Sequence, residues 1–370
     1  MTIKRGKTHD CLGMTLDCSE TGAVKVNMIE HLKKVLVDMP TDVDGTATSP
    51  AGAHLFKIVA GVELLDEDTS EFFHATVAKL LFLCKRGRPD IQTAIAFLCT
   101  RVQHPTKHDR NKLARVIKCL RGTSQLVLRL SANNLNIIKW WVDASYGVHH
   151  DMRSHAGGTV SLGTGAACST SKKQKLNTKS STEAELVGID DVLPQALWTK
   201  CFMEAQGYGV TTILNQDNQS TVKLSENGKA SSGKGTRHVN IQHFFIADRI
   251  ARKDVGIQCC PTKEMVADCF TKPLQGALFC KFRDQIMGVV PMDAILGDHR
   301  SVLNVDSKSQ NNNESVVPEK RRVDAEEPRG KKRVQIAQAK GLATTQSWVD
   351  VVKSKPKERL KGALTPLIKR

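Results

Sequence analysis

The chain has 370 residues, of which 40% are hydrophobic and 25% charged, and a formal net charge of +16. That length allows two domains with cores of their own; no run of 18 apolar residues and no apolar leader core in "MTIKRGKTHD" is evident, so neither a spanning helix nor a signal peptide is expected and an intracellular location, cytoplasm or nucleus, is the default expectation. The basic excess points to a polyanionic partner, and half of it, +8, lies in residues 301–370; with no apolar span, no membrane partner is expected.

Residues 1–135 read as a short strand-like start followed by helices. "FHATVAKLLFLCKRGRPDIQTAIAFLCTRV" repeats apolar residues at three and four positions, "QHPTKHD" turns at Pro105, and "DRNKLARVIKCLRG" resumes the helical pattern until Gly122. Residues 136–290 alternate strands with helices. "NIIKWWVDAS", "GGTVSLG", "AACSTSKKQ", "TTILNQ" and "VGIQCCP" read as strands, and helices are expected near 181–206, 218–226, 237–252 and 264–288. Such alternation predicts an α/β sheet. From about Asn304 the chain is polar and charged, so residues 291–370 are expected to form a basic, largely disordered tail. The eleven cysteines have no CxxC or Cys/His zinc spacing and read as reduced, packed thiols.

Several acids stand out. In "KSSTEAELVGIDDVLPQALW", residues two apart point in opposed directions around a helix, so Glu183 and Glu185 cannot share a site. Ser180 and Glu183 match a capping box, whereas Glu185 lies one turn from Ile189 at the edge of the buried face. Asp143 follows "IIKWWV", at the end of what reads as a central strand, where a carboxylate needs a cation or hydrogen bonds. Asp217 ends another strand and on its own reads as the N-cap of the next helix; Asp268 in "EMVADCFTKPL" alone reads as a surface helix acid. Acids at C-terminal strand ends converge where α/β sheets place their sites. Without His or Cys partners they suit hard cations such as Mg²⁺ and in-line phosphodiester cleavage.

The ordered motifs "VDAS", "SKKQKLNTKSSTEAEL", "QDNQS", "TRHVNIQHFFI" and "ADCFTKPL" resemble the ribonuclease H domain of copia-type LTR-retrotransposon Pol polyproteins, over about residues 138–288. The stretch from Phe73 to Thr123 resembles the segment joining reverse transcriptase to that domain, and "KTHDCLGMTLD" resembles the end of the polymerase palm. The resemblance implies a ribonuclease H-like mixed sheet with flanking helices at 136–290, preceded over 1–135 by a mainly helical reverse-transcriptase remnant and connection. It also implies a metal-binding, catalytic set of Asp143, Glu185, Asp217 and Asp268 holding two Mg²⁺ ions (or Mn²⁺). Asp143 would bridge both ions, Glu185 and Asp217 would complete one shell, and Asp268 would hold the other. The implied activity is hydrolysis of the RNA strand of an RNA–DNA hybrid, read through its 2′-OH. Lys172, Lys173, Gln174, Asn218, Gln219, Arg237 and His238 are candidate nucleic-acid contacts, and the rest of the Pol polyprotein is a candidate partner. The first motif has Asp143-Ala144-Ser145 where the family often carries a second acid.

Other motifs compete. "GIDDV" imitates a polymerase box, but Asp190 and Asp191 continue a helix. "GKASSGKGT" has Gly235 where a phosphate-binding loop needs a hydroxyl. His149, His150 and His155 lack metal-site partners and read as loop residues. "KRR" and "KKR", at 320–322 and 331–333, fit a nuclear-import signal or an RNA-binding tail. The rival function is a catalytically inactive nucleic-acid-binding relic; the four retained acids weigh against it.

Overall fold

The structure, a computed structural model, describes residues 5–227 and 240–292. Three short strands open it: β1 (Thr8–Cys11), β2 (Met14–Asp17) and β3 (Ala23–Asn27). Four helices follow, α1 (Ile29–Val37), α2 (Glu67–Cys84), α3 (Gln92–Cys99) and α4 (Lys107–Gly122). The helical pattern from Phe73 onward divides at Gly87 and Pro89, where a 3-10 turn, Pro89–Ile91, separates α2 from α3. Thr106 caps α4 by a complete capping box with Asp109. These helices bury Phe73, Val77, Leu80, Ile95, Leu98, Val116 and Ile117 in one apolar cluster.

The remaining elements are β4 (Leu128–Ala132), β5 (Ile137–Ser145), β6 (His155–Ser161), β7 (Gly163–Thr164), β8 (Cys168–Lys173), α5 (Ser181–Ala205), β9 (Thr211–Gln216), α6 (Gln219–Asn227), α7 (Asn240–Ala251), β10 (Gly256–Cys259) and α8 (Gly276–Ile286). They form the mixed sheet with flanking helices expected of a ribonuclease H-like fold. Its order is β10-β9-β5-β6-β8, with β5–β9 and β9–β10 parallel and β5–β6 and β6–β8 antiparallel. Both faces of β5 are covered, which is why "IIKWWV" is a nearly continuous apolar run. Ile138, Trp140 and Val142 pack with Leu186, Ile189 and Leu193 of α5. Trp141, pointing to the other face, packs with Phe270, Phe279 and Phe282.

A second sheet, β1-β2-β3-β4-β7, is wholly antiparallel and takes its last strand from the turn after β6. Thus the strand expected over 157–163 starts earlier, at His155, and its end, Gly163, leaves for the other sheet. The turn after α8 closes this junction: the Arg129 N–H donates to Met287 O at 3.0 Å. Gly288 there has φ +72°, and a Cβ would collide with the Arg129 carbonyl.

One helix differs from expectation. Residues 264–288 are not continuous: a 3-10 turn, Val266–Phe270, is followed by an irregular stretch before α8. Pro273 supplies no N–H and disfavours helical geometry at Lys272. The described residues all fall in one compact unit, Met1–Ser301. The basic loop 228–239, with Arg237 and His238, and the tail after 292 lie outside the described residues.

Candidate active site

Alternation along β5 turns Asp143 to the same face as Trp141, towards the 3-10 turn. The residue opposite Asp143 on β6 is Gly157. A Cβ there would lie 2.6 Å from Phe270 Cβ and 2.8 Å from Thr271 Cγ2, so the bare glycine lets the turn carrying Asp268 seat on the sheet. The turn is also held from the helical region: Thr93 Oγ1 on α3 donates to the Cys269 carbonyl at 2.6 Å, in a buried setting.

Asp217 follows the last residue of β9. Its alternative role as a cap is taken by its neighbour: Asn218 Oδ1 accepts from the N–H groups of Ser220 and Thr221 at 3.0 and 3.2 Å. Asp217 is thereby left to the site. At the start of α5, Ser180 Oγ accepts from the Glu183 N–H at 3.2 Å, and Glu183 Oε2 accepts from the Lys179 N–H at 2.7 Å. Glu183 is a terminus residue as expected, reaching one position beyond the cap. Glu185 is buried, and Gln216 Nε2 donates to its Oε2 at 3.2 Å.

Asp143, Asp217 and Asp268 each present a carboxylate oxygen, and these oxygens lie within 4.8 Å of one another. Asp143 and Asp268 are buried and Asp217 is half-buried. Glu185 stands just outside this group. Burial, then the charges of Asp143 and Asp217, hold the Glu185 carboxyl well above the usual carboxylate range. Burial and Asp143 push Asp268 up to about 7 and also raise Asp217.

Thr271 and Lys272, which the sequence reading passed over, complete the cluster. Thr271 Oγ1 donates to Asp143 Oδ2. Lys272 Nζ lies 2.6 Å from Asp268 Oδ1 and 3.3 Å from Asp143 Oδ2. Burial opposes the Lys272 charge, but Asp143 and Asp268 outweigh it and push its pKa up. The donor set is wholly hard oxygen, with an excess of negative charge over its one ammonium. These carboxylates are the ligand type that Mg²⁺ or Mn²⁺ takes, and the Lys272 ammonium now lies between two of them.

The candidate nucleic-acid contacts fare differently. Lys172 pairs with Asp191 at 3.1 Å and Lys173 with Asp151 at 2.6 Å, both partly exposed. Gln174 is buried and its amide donates to Ala184 O at 2.8 Å, which makes it part of the frame rather than a free contact. Asn218 is the α6 cap, and Gln219 is exposed beside it. Asp190 and Asp191 are interior to α5, as expected of a false polymerase box. His149 and His150 lie in the loop between β5 and β6, as expected, and only His155 departs. His155 begins β6, and both His149 and His155 are buried, with His149 Nε2 3.0 Å from His155 Nδ1 and His155 Nε2 2.8 Å from Ser171 Oγ.

No family model matches the chain. It is 26% identical over 202 residues to the retrovirus-related Pol polyprotein from transposon TNT 1-94 of Nicotiana tabacum, covering 54% of this chain and 15% of that protein. It is 27% identical over 242 residues to the Pol polyprotein from transposon RE1 of Arabidopsis thaliana, covering 65% and 16%. A Ty5-1 transposon protein of Saccharomyces cerevisiae is 26% identical over 200 residues, covering 51% and 61%. The chain therefore spans about a sixth of the length of the plant polyproteins it matches. Among solved structures, ribonuclease H1 of Halobacterium salinarum aligns with 36% of this chain and 94% of its own at 14% identity and a TM-score of 0.27. LC11 ribonuclease H1 in complex with an RNA/DNA hybrid aligns at 10% identity and a TM-score of 0.27, covering 36% and 93%. Over more than half its length the chain is similar to retrotransposon Pol polyproteins.

Proposed function

We propose that this chain is a ribonuclease H-type endonuclease of a copia-type retroelement, cleaving the RNA strand of an RNA–DNA hybrid. The observation that carries the reading is the meeting of Asp143, Asp217 and Asp268 oxygens within 4.8 Å from three separate stretches of sequence, with Glu185 beside them. Kinship with Pol polyproteins supports the hybrid as substrate and the rest of such a polyprotein as partner.

In this reading Asp143, Glu185, Asp217 and Asp268 hold two Mg²⁺ ions, or Mn²⁺. Such ions, when bound, activate a water and neutralise charge on the phosphate. The chain's own groups hold the acids in place. Thr271 fixes the rotamer of Asp143, and Gln216 orients Glu185. Lys272 links Asp268 to Asp143 and offsets their repulsion before a cation arrives. Thr93 anchors the turn that carries Asp268. Of the candidate contacts read from the sequence, Lys172, Lys173 and Gln219 remain among the described residues to meet a nucleic-acid strand.

One observation favours the rival, an inactive binding relic: the Lys272 ammonium lies among the carboxylates where a cation would sit. Cleavage of a labelled hybrid in Mg²⁺ by the unaltered chain, beside Asp143→Asn and Asp217→Asn, separates the two. The nuclease reading expects cleavage that either substitution abolishes. Hybrid binding without cleavage would establish the relic, and activity surviving either substitution would overturn the metal assignment.

A further inference from the structure

We propose that the cavity between the Ala51–Leu55 turn and α4 binds a backbone phosphate of the nucleic-acid substrate, apart from the carboxylate site. The cavity has a volume of about 240 Å³, and its polar lining comes from His54, His108, Asn111, Lys112 and Arg115. Positions 108, 111, 112 and 115 share one face of α4, since residues three and four apart are neighbours on a helix. No Asp or Glu lines the cavity.

Its two cations are poorly matched by the protein. Arg115 Nη2 donates to neutral acceptors, Ser49 Oγ at 3.1 Å and Gln275 Oε1 at 3.3 Å. Arg115 Nε is buried and has no hydrogen-bond partner. Lys112 Nζ donates to the Lys57 carbonyl at 2.7 Å and lies against the Phe97 ring. Its nearest carboxylate oxygen, on Asp109, is 3.9 Å away, and Asp109 already serves Arg101 and Thr106. Burial accordingly lowers the Lys112 pKa. Half-buried cations facing neutral acceptors carry a desolvation cost that an anion offsets through charge-assisted hydrogen bonds.

The shape selects the class of anion. The cavity is larger than a lone phosphate, and the other walls are the alanines, Gly52 and Leu55. An anion with an apolar body attached, such as a sugar phosphate, suits it better than a free ion. Position narrows it further. Gln275, which Arg115 and Ser49 both contact, lies three residues beyond Lys272 of the acid cluster. Three residues span at most about 11 Å, so the cavity wall is tied to the acids within the reach of a few nucleotides. The assignment to the hybrid rests on the proposed nuclease reading; the anion site itself does not.

The test is equilibrium binding of a labelled RNA–DNA hybrid in EDTA across a salt series, for the unaltered chain, Arg115→Met, Lys112→Met and Asn111→Glu. Asn111 is exposed, so placing a negative charge there leaves the core intact. Lys33→Met, on exposed α1, is the control for general charge loss. Each cavity variant should bind roughly 3–10-fold more weakly at low salt, and the two cation removals should lower the slope of log affinity against log salt by about 1. The control should do neither. In parallel, inorganic phosphate should raise the melting temperature of the unaltered chain at constant ionic strength, and less so in Arg115→Met. Unchanged hybrid affinity and slope in all three cavity variants would overturn the proposal, including where phosphate alone still binds. Because binding is read without Mg²⁺, loss of cleavage by the unaltered chain would sink the nuclease reading and leave this result standing.

Discussion

Lys272 Nζ lies 2.6 Å from Asp268 Oδ1, four residues back along the chain, and also reaches Asp143, which comes from the central strand. It is the cation that holds the acid cluster together. Replacing it with methionine leaves Asp143 and Asp268 facing each other uncompensated. For a partly exposed pair we expect Lys272→Met to cost about 1–3 kcal/mol in EDTA. Mg²⁺ should then stabilise the variant more than the parent, since no ammonium competes for the carboxylates. Thermal melts with and without Mg²⁺ measure this; an equal Mg²⁺ shift in both proteins refutes the competition.

Glu185 gives the opposite sign. Its carboxyl is held above the ordinary range by burial and by two neighbouring acids, so the native state keeps its proton to higher pH than the unfolded chain does. The penalty is absent below pH 4 and grows as pH rises through the folded pKa. Glu185→Gln should therefore stabilise the metal-free protein by about 1–3 kcal/mol at pH 8 and by less at pH 5. The same change should abolish cleavage. Urea unfolding in EDTA at the two pH values checks the first half and hybrid cleavage in Mg²⁺ the second.

Gly157→Ala tests the seating of the Asp268 turn. The added Cβ meets Phe270 and Thr271 at 2.6–2.9 Å, partly against backbone, so the turn must retreat. Overpacking of this kind costs about 1–3 kcal/mol. Cleavage should fall at least roughly tenfold, because a misplacement of about 1 Å is enough to cost that much. A variant with parental activity and melting temperature would show that the turn does not depend on this contact.

The buried histidine pair predicts acid sensitivity. Burial pushes His149 down to about 4 and His155 to about 3, each below its unfolded value. The unfolded chain thus binds more protons once pH drops below about 6.5, and stability is lost from there towards pH 4 and below. The loss from the pair should be on the order of 6 kcal/mol by pH 4. His155→Gln keeps hydrogen-bonding capacity without a titrating ring, so its stability should fall less steeply than the parent's between pH 6.5 and 4.5. Chemical unfolding across that range compares the two slopes.

Asp143 was legible because an acid ending an apolar run has few places to go. Glu185 was legible from helix geometry, which separated it from Glu183. Asp217 could be read two ways, and the choice depended on Asn218, a residue whose capping strength is as good as its neighbour's. Asp268 joins the set only through family resemblance, and Pro273 breaks the helix that the pattern over 264–288 predicts. Thr271 and Lys272 escaped notice for a different reason. A lysine four residues from an acid reads as a surface pair, and only the return of this stretch to β5, across 128 and 129 residues, shows its real partners. His155 differs from expectation because nothing local distinguishes the end of a loop from the start of β6.

The junction of β4, β7 and the turn after α8 makes cutting this chain different from taking it apart. Residues 133–136 are an exposed link between the two sheets. Yet β4, just before that link, pairs with β7 after it, and the Arg129 N–H reaches Met287 from the far end of the described fold. Thr93 and Cys269 add a buried bond across the same divide. A protease that nicks the link would leave two fragments still clasped, migrating as one species until denaturant is added.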